Sequence, residues 1–290
     1  MQKPFFSVII PTLNEEKRIS TILSDLSRQT FHDFEVVIVD GNSKDHTVEI
    51  AKKWKEKLPH LNIVKRSKPG VSAQRNLGTT KSAADYLFFS DADTRLPAHY
   101  LEGVHYALMK KDASFLTTWV VPDINTQSAK MITQLLNFIF EGGVLLGRPY
   151  ASGAAMMVKR NAFQQLGGFD ETLTITEDID LAHRLYRAGY VMEVLQDPQY
   201  IFCMIRYQKD GTLALTAKLV IRSLHPQGNR NRRYSFYPML GGSYYDTKQQ
   251  PPSFLRLDEI NKVVATLFKS RKKKVQHLIQ EFGQLFQSTH

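Results

Sequence analysis

The feature that most constrains this chain is an alternation of short apolar runs and helix-like segments in its first hundred residues. Each apolar run is continuous, which is typical of strands that are buried on both faces of a parallel sheet. The segments between the runs carry apolar residues every three or four positions, as amphipathic helices do. The alternation therefore predicts an α/β fold with a mostly parallel central sheet flanked by helices. Strands are predicted at residues 5–10, 34–39, 61–64 and 86–90, and helices at 15–28, 43–57 and 71–84.

The second half of the chain shows the same two patterns less regularly. Its most apolar stretch, 131–140, ends at Glu141 and is shorter than the ~18–20 residues that a membrane-spanning helix needs. The only cysteine, Cys203, excludes an intrachain disulfide and a cysteine-based zinc site. No secretory leader precedes the first predicted strand, so we expect a cytoplasmic protein. Strands are predicted at 113–121 and 154–158, and helices at 128–140 and 176–188.

Charge divides the chain into two regions. The net charge is +10, yet residues 1–205 hold 23 basic and 23 acidic side chains, whereas residues 206–290 hold 15 basic and 5 acidic ones. A neutral body followed by a basic segment indicates that the two regions face different partners. We therefore predict a boundary near residue 205, with a basic, helical C-terminal extension after it.

Polar loops follow three predicted strands at their carboxyl ends, where open parallel sheets bind ligands. These loops cover residues 11–15, 40–45 and 91–93. In the last loop, Asp91 and Asp93 can hold a hard divalent cation through oxygen ligands, although a solvated acidic turn is the alternative. Capping of the next helix needs only Ser43 or Asp45. Asp40 is therefore surplus to capping and can accept a hydrogen bond from a nucleobase or a ribose.

Three acidic residues, Glu177, Asp178 and Asp180, open the helix predicted at 176–188. Acidic side chains in a first turn suit the helix dipole, which is a purely electrostatic explanation for them. Three acids within four residues exceed that requirement. One of them, directed into the crevice between the strand-end loops, can act as a general base.

Taken in order and spacing, these segments resemble the family 2 glycosyltransferases, which have the GT-A fold. The resemblance covers roughly residues 5–200. Positions 42 and 46 hold Asn and His where the family often has Ser and Gly. The matching segments are SVIIPTLNE at 7–15, VDGNSKDHT at 39–47, GVSAQRN at 70–76, DAD at 91–93, and GGFDE at 167–171 followed by TED at 176–178.

The resemblance implies transfer of one sugar, a hexosyl group, from a nucleotide-diphosphate sugar to an acceptor hydroxyl, with inversion and with a divalent metal, Mn2+ or Mg2+. It implies that Asp93 and Asp91 hold the metal and that Asp178 is the catalytic base. Gly153 and Glu177 are placed on the acceptor side. The residues that it assigns to donor binding are Pro11, Thr12, Asn14, Glu15, Asp40, Ser43, Arg75, Asn76, Asp91, Ala92 and Asp93.

The resemblance also defines the domains. Residues 1–205 form the GT-A catalytic domain, with a nucleotide-sugar half at about 1–95 and an acceptor half at about 96–205. Processive members carry Gln-x-x-Arg-Trp together with transmembrane helices. Here Gln227-Gly228-Asn229-Arg230 is followed by Asn231. We therefore expect a non-processive enzyme.

The basic extension, 206–290, has three interpretations. It can be a solvated surface with a terminal helix packed on the body. It can lie on an anionic membrane surface through amphipathic segments at 212–224 and 258–286, which suits peripheral attachment to the cytoplasmic face and a glycan or lipid-linked acceptor of the cell envelope. Nucleic-acid binding ranks last, because no recognisable nucleic-acid-binding fold accompanies the charge. The terminal helix can equally mediate a homo-oligomer.

Two other functions remain as alternatives. A sugar-phosphate nucleotidylyltransferase can share the sheet topology, but it usually opens with a glycine-rich, basic loop, and residues 11–15 are neither. A non-catalytic nucleotide-binding membrane adaptor is the second alternative. The acids at Asp40, Asp91, Asp93 and Asp178 argue against it.

Overall fold

The strands and helices alternate along the chain as the apolar runs predict. The structure is a computed structural model that describes residues 3–205, 226–232 and 241–246. The strands are β1 (Phe6–Thr12), β2 (Phe34–Asp40), β3 (Leu61–Lys65), β4 (Tyr86–Phe89), β5 (Phe115–Pro122), β6 (Met156–Lys159) and β7 (Met192–Phe202). The helices are α1 (Ile19–Ser27), α2 (Thr47–Lys52), α3 (Val71–Thr80), α4 (Tyr100–Lys110), α5 (Gln127–Leu145), α6 (Arg160–Gln165) and α7 (Glu177–Arg187). Short 3-10 turns cover Lys53–Glu56, Pro226–Asn229 and Gly241–Asp246.

All seven strands form one sheet in the order β3-β2-β1-β4-β6-β5-β7. Strand β6 is antiparallel to both of its neighbours, while the other pairs are parallel. The prediction of a mostly parallel α/β sheet flanked by helices is confirmed. Because β1, β2 and β4 are adjacent and parallel, their carboxyl ends lie along one edge, and Thr12 at the end of β1 pairs with Asp40 at the end of β2.

The continuous apolar runs are explained by a core on each face of the sheet. Along β1, Val8 and Ile10 pack with α1 and α4 on one face, whereas Ile9 packs with α6 and α7 on the other. Helix α3 approaches β1 closely, since a Cβ on Gly78 would lie 2.4 Å from Ile9 Cγ2. A strand buried on both sides needs apolar residues at successive positions.

The main differences from the prediction concern four elements. Helix α1 begins at Ile19 rather than at residue 15, because Asn14 has a positive φ of 53° and the Glu15 N–H donates to Thr47 Oγ1. Helices α4 and α6 and strand β7 were not predicted. Strand β7 lies at the sheet edge, where it mixes polar residues such as Gln196 and Gln199 with apolar ones. An edge strand with one exposed face does not show a continuous apolar run.

Within the described ranges, no helix is both long and apolar enough to cross a membrane. The segments 212–224 and 258–286, for which amphipathic helices are predicted, lie outside the described residues. The turns at Pro226–Asn229 and Gly241–Asp246 do belong to the basic extension, and both contact loops of the body.

Candidate active site

The loops after β1, β2 and β4 form one side of a crevice, which we call the donor wall (residues 11–15, 40–45 and 91–93). The first two loops are joined by hydrogen bonds. The Asn14 N–H donates to Ser43 Oγ at 2.9 Å, and Asn14 Oδ1 accepts the Lys44 N–H at 2.8 Å. The left-handed backbone of Asn14 (φ 53°) turns the chain so that both bonds form. The structure thus brings the predicted residues of these two loops together.

Asp40 holds its own loop in place. It is buried, and its Oδ2 accepts the N–H groups of Asn42 and Ser43, each at 3.1 Å. Asp45 accepts the Thr47 N–H at the start of α2. Asp40 is thus not used to cap α2, but its carboxylate fixes the turn at 40–43, a local role that was not predicted. Its contact with a nucleobase stays a prediction.

Gln74 is a functional candidate that the sequence reasoning missed. It is buried beneath the donor wall, where its Nε2 donates to the carbonyl oxygens of Thr12 at 2.9 Å and Val39 at 2.7 Å. A Cβ on Gly41 would lie 2.9 Å from Gln74 Oε1. The side chain therefore supports both loops from below. A polar residue on the buried face of α3 was the available signal.

Arg75 is a buried cation that connects two parts of the site. Its side chain is 2% exposed, with Nη2 2.8 Å from Asp91 Oδ1 and Nη1 2.8 Å from Glu177 Oε1. Nη2 also donates to the Gly153 carbonyl oxygen at 3.1 Å. A Cβ on Gly153 would lie 2.5 Å from Arg75 Nη2, so a larger residue there would displace the guanidinium. The Arg75 side chain thus binds both the acidic loop after β4 and Glu177 of the acid pair in α7.

We call Gly153 and residues 167–178 the acceptor wall. Its loop at 167–171 is held by Asn76, whose amide exchanges two 2.9 Å hydrogen bonds with the backbone of Phe169. The loop needs glycine at 167 and 168, where φ is 71° and 73°. Both Arg75 and Asn76 therefore reach into the acceptor wall. Their predicted contacts with the sugar donor stay predictions.

Asp178 lies in the first turn of α7 and is held by two amides. Its Oδ2 accepts the Gly153 N–H at 2.7 Å, and its Oδ1 accepts the Ile179 N–H at 2.8 Å. Protein surrounds the carboxyl densely, yet part of the residue stays accessible to solvent. Burial, reinforced by the negative charge of Glu177, raises the pKa of Asp178 to about 7, against the opposing effects of Arg75 and the two amides. A carboxyl group with this pKa can accept a proton near neutral pH.

Glu15 is a further carboxyl group of the donor wall, in addition to its four aspartates. Its Oε2 is buried and has no hydrogen-bond partner among the residues that the structure describes. Burial, followed by the charge of Asp93, raises the pKa of Glu15 to about 9, with Arg18 acting in the opposite direction. Besides burial, the raised pKa reflects a local excess of negative charge that Arg18 offsets only in part. The oxygen ligands that Asp91 and Asp93 offer beside it fit a hard divalent cation.

A cation would need further ligands from outside the protein. In the ranges 3–205, 226–232 and 241–246, no group of three or more acidic, histidine or cysteine side chains is arranged to hold a metal ion. Magnesium-type sites are often completed by substrate phosphates bound beside one or two carboxylates. The acidic loop 91–93 is therefore suited to a metal that arrives with a phosphorylated ligand.

A cavity of about 210 Å³ lies beside the donor wall. The residues that it shares with the wall are Asn14, Glu15, Lys44 and Asp45, whereas Asp40, Asp91 and Asp178 do not line it. Gly242 and Ser243 of the basic extension close one side of the cavity, and the Gly242 N–H donates to the Leu13 carbonyl oxygen at 2.8 Å. The extension thus contributes to the surroundings of the site, which sequence reasoning did not predict.

The other described part of the extension binds the acceptor wall. Asn229 Nδ2 donates to Thr176 Oγ1 at 2.8 Å, and Arg230 forms an ion pair with Asp170 at 2.8 Å. The Asn231 N–H donates to the Thr172 carbonyl oxygen at 2.7 Å. None of these contacts has a signal in the sequence, because the partners are more than fifty residues apart.

Comparison with known proteins supports one family. The profile of glycosyl transferase family 2 matches residues 7–167. A PGL/p-HBAD biosynthesis glycosyltransferase of Mycobacterium tuberculosis is 39% identical over 97 residues, which are 33% of this chain and 38% of that protein. Glycosyltransferase AglE of Haloferax volcanii is 28% identical over 204 residues, which are 67% of this chain and 65% of that protein. The chain thus spans less than two thirds of the length of these curated relatives.

Solved structures confirm the fold. A mannosyltransferase of Pyrobaculum calidifontis in complex with GDP-Man and Mn2+ superposes with a TM-score of 0.61 at 18% identity, over 98% of this chain and 81% of that one. TarS of S. aureus in complex with UDP-GlcNAc gives 0.54 at 20% identity, over 77% of this chain and 67% of that one. At these identities the likeness concerns the fold, which is the GT-A glycosyltransferase fold.

Proposed function

Since the chain belongs to glycosyl transferase family 2 and is therefore a glycosyltransferase, we propose that it moves one hexosyl group from a nucleotide-diphosphate sugar to an acceptor hydroxyl, with inversion. The observation that carries this proposal is that Arg75 contacts both Asp91 and Glu177. It supports a site in which the base candidate Asp178, next to Glu177, faces the acidic loop 91–93. Family membership argues against the nucleotidylyltransferase and the adaptor.

The donor wall is suited to the nucleotide. Loops 11–15 and 40–45 are fixed to each other by Asn14 and supported from below by Gln74, so they present a preorganised surface. Asp40 uses Oδ2 for its own loop. Its Oδ1 accepts a long hydrogen bond of 3.5 Å from Thr12 Oγ1 and is the oxygen that would meet a base or ribose. The solved relatives hold GDP-Man and UDP-GlcNAc, which supports a nucleotide-sugar donor here.

Asp93 and Asp91 would hold a divalent cation such as Mn2+ or Mg2+. When bound, such a cation stabilises the negative charge of a departing diphosphate. Arg75 holds Asp91 from the protein side by its 2.8 Å contact, so the carboxylate keeps one orientation. Mn2+ in the Pyrobaculum complex supports this assignment.

Asp178 would accept the proton of the acceptor hydroxyl. The amides of Gly153 and Ile179 orient its carboxylate, and a pKa of about 7 keeps it both available and basic enough at neutral pH. Glu177 is a weaker candidate, because its Oε1 is already paired with Arg75. A base on the acceptor wall facing a leaving group on the donor wall favours a single displacement, and therefore inversion.

The acceptor and the location are a further part of the proposal. The excess of 15 basic over 5 acidic residues after position 205 supports attachment to an anionic, cytoplasmic membrane face and a lipid-linked or glycan acceptor. The contacts at Thr176 and Leu13 show that described parts of the extension also pack on the catalytic body.

Replacement of the base tests the proposed function. The wild-type chain is first assayed with Mn2+ and a panel of UDP- and GDP-sugars for release of the nucleoside diphosphate. Asp178→Asn should lower kcat about 10²–10⁴-fold, the usual contribution of a general base, while nucleotide binding by calorimetry stays within threefold.

Asp112→Asn is the matched control, because that carboxylate is 95% exposed and lies away from the crevice. It should keep wild-type kcat. An Asp178→Asn variant that is as active as Asp112→Asn would refute the assigned base, and a wild-type chain that turns over no sugar donor would refute the proposed substrate class.

A further inference from the structure

Thr176 has a backbone conformation that its side chain disfavours. Its φ and ψ are 63° and 21°, in the left-handed region. A β-branched residue rarely adopts this region, because its Cβ crowds the backbone. Residues held there persist only where their surroundings enforce the conformation, and they cluster at functional sites. Thr176 directly precedes Glu177 and Asp178 and is the N-cap of α7.

The contacts of Thr176 come from two directions. Its carbonyl oxygen accepts the Asp180 N–H at 2.9 Å, which begins the hydrogen bonding of α7. Its hydroxyl accepts a hydrogen bond from Asn229 Nδ2 at 2.8 Å. Both residues are buried, with Thr176 8% and Asn229 1% exposed. A buried amide of the extension is thus bound to the strained residue that starts the helix.

The backbone on either side of Asn229 is anchored as well. The Asn231 N–H binds the Thr172 carbonyl oxygen, and residue 230 forms a β-bridge with Leu173. These two contacts fix the register of the turn along the acceptor wall. Asn229 therefore contacts Thr176 rather than a residue adjacent to Thr176. This arrangement lets a side chain 53 residues away act on the first turn of α7.

We propose that Asn229 is a positioning residue, which holds Thr176 in its left-handed conformation and thereby directs Asp178 toward the acceptor hydroxyl. The inference rests on the proposed function, because it concerns the base of that reaction. Rotation at Thr176 would change the direction of α7, and it would move Asp178 away from the Gly153 amide, 2.7 Å from its Oδ2. The base would then meet the acceptor in the wrong orientation.

Two substitutions of Thr176 distinguish a positioning role of Asn229 from a purely structural role. Thr176→Val removes the hydroxyl that Asn229 binds and keeps a branched Cβ, so the left-handed conformation loses its support. Thr176→Gly removes the same hydroxyl, but glycine adopts positive φ without steric cost. We expect kcat for nucleoside diphosphate release to fall tenfold or more in Thr176→Val and to stay within threefold in Thr176→Gly. KM for the sugar donor should stay within twofold in both.

Asn229→Ala should reproduce the loss of kcat, and the double variant Asn229→Ala with Thr176→Gly should regain it. Gly228→Ala is the control from the same turn, since a Cβ there would meet nothing within 4 Å. Equal activity of the Thr176→Val and Thr176→Gly variants, whether both are high or both are low, would overturn the inference. The Thr176 pair decides the question even where Asn229→Ala does not fold.

Hydrogen–deuterium exchange gives a readout that does not need turnover. Amide exchange over residues 177–180 should be faster in Thr176→Val than in Thr176→Gly or Gly228→Ala. Unchanged exchange in Thr176→Val would overturn the positioning role. A wild-type chain that turns over no donor of the panel would instead count against the proposed function, and exchange alone would then decide the role of Asn229.

Discussion

The two walls of the crevice are built in different ways. The donor wall consists of loops at the ends of adjacent parallel strands, and its internal hydrogen bonds join residues about thirty positions apart, such as Asn14 and Ser43. The acceptor wall is held by side chains from distant elements. Arg75 contacts Glu177 across 102 positions, and Asn229 contacts Thr176 across 53. The donor wall thus follows mainly from the sheet, with Gln74 beneath it, whereas the acceptor wall depends on a few buried polar side chains.

The largest effect should come from removing the cation that joins the walls. Arg75→Ala leaves Glu177, whose side chain is 11% exposed, and Asp91 without their partner. Loss of one member of a buried ion pair costs about 3–5 kcal/mol. Asp91 is 38% exposed, so we expect the lower end, about 3 kcal/mol of the free energy of unfolding in urea.

Arg28→Ala is the control for Arg75, because it removes an arginine that is 62% exposed from a pair with Asp25. Its cost should stay below about 1 kcal/mol. If both variants unfold at the same urea concentration, the acceptor wall does not depend on Arg75, and the contrast between the walls is lost.

The next-largest effect should be a pH dependence of kcat, which arises from Asp178 in the acceptor wall. Asp178 must be deprotonated to accept a proton, and its pKa is about 7. We therefore expect kcat to rise about tenfold per pH unit below 7 and to level off above it. The same raised pKa lowers the free energy of unfolding as the pH rises from about 4 to 7, because the unfolded chain releases this proton first.

The Glu177→Gln variant provides a second test of the kcat–pH profile. This change removes the neighbouring negative charge that helps to raise the pKa of Asp178, so the midpoint of the kcat profile should move to lower pH. A wild-type kcat that is flat between pH 5.5 and 8 would contradict the assignment of Asp178.

The smallest effect should be confined to the donor wall. A Cβ on Gly242 would lie 1.9 Å from the Asn14 carbonyl oxygen, so Gly242→Ala forces the turn of the extension away from the loop. We expect KM for the sugar donor to rise several-fold with kcat within twofold. Gly228→Ala, which adds the same methyl group in open space, should leave both constants unchanged. If Gly242→Ala lowered kcat without changing KM, a substitution at the donor wall would affect catalysis rather than donor binding, and the contrast between the two walls would be wrong.

The same contrast explains what could be predicted from sequence. Strands β1, β2 and β4 are buried on both faces, so their continuous apolar runs identify them, and the strand-end rule then places Asn14, Asp40 and Asp91 at one edge. Edge strand β7 was missed because its polar and apolar residues are mixed. The mixed pattern arises because β7 lies at the edge of the sheet, and the strand order is known only from the fold.

Residues of the acceptor wall could be predicted from the sequence, but the contacts that hold the wall together could not. The acid pair Glu177-Asp178 stands out as a local excess of charge. The partners of Arg75, and the whole contribution of Asn229, depend on which distant segments meet after folding. Asp40 shows the reverse case, since its position at the end of a strand was predicted but the turn that its carboxylate fixes was not.

The docking of the Pro226–Asn229 and Gly241–Asp246 turns has a consequence for protein engineering. A hybrid enzyme that exchanged everything after residue 205 for the corresponding segment of a relative would also exchange the amide bound to Thr176 and the glycine bound to Leu13. Altered activity in such a hybrid would then report damaged catalytic geometry as much as a new acceptor preference. A junction after residue 246 retains these contacts, and so allows the remaining basic segment to be exchanged on its own.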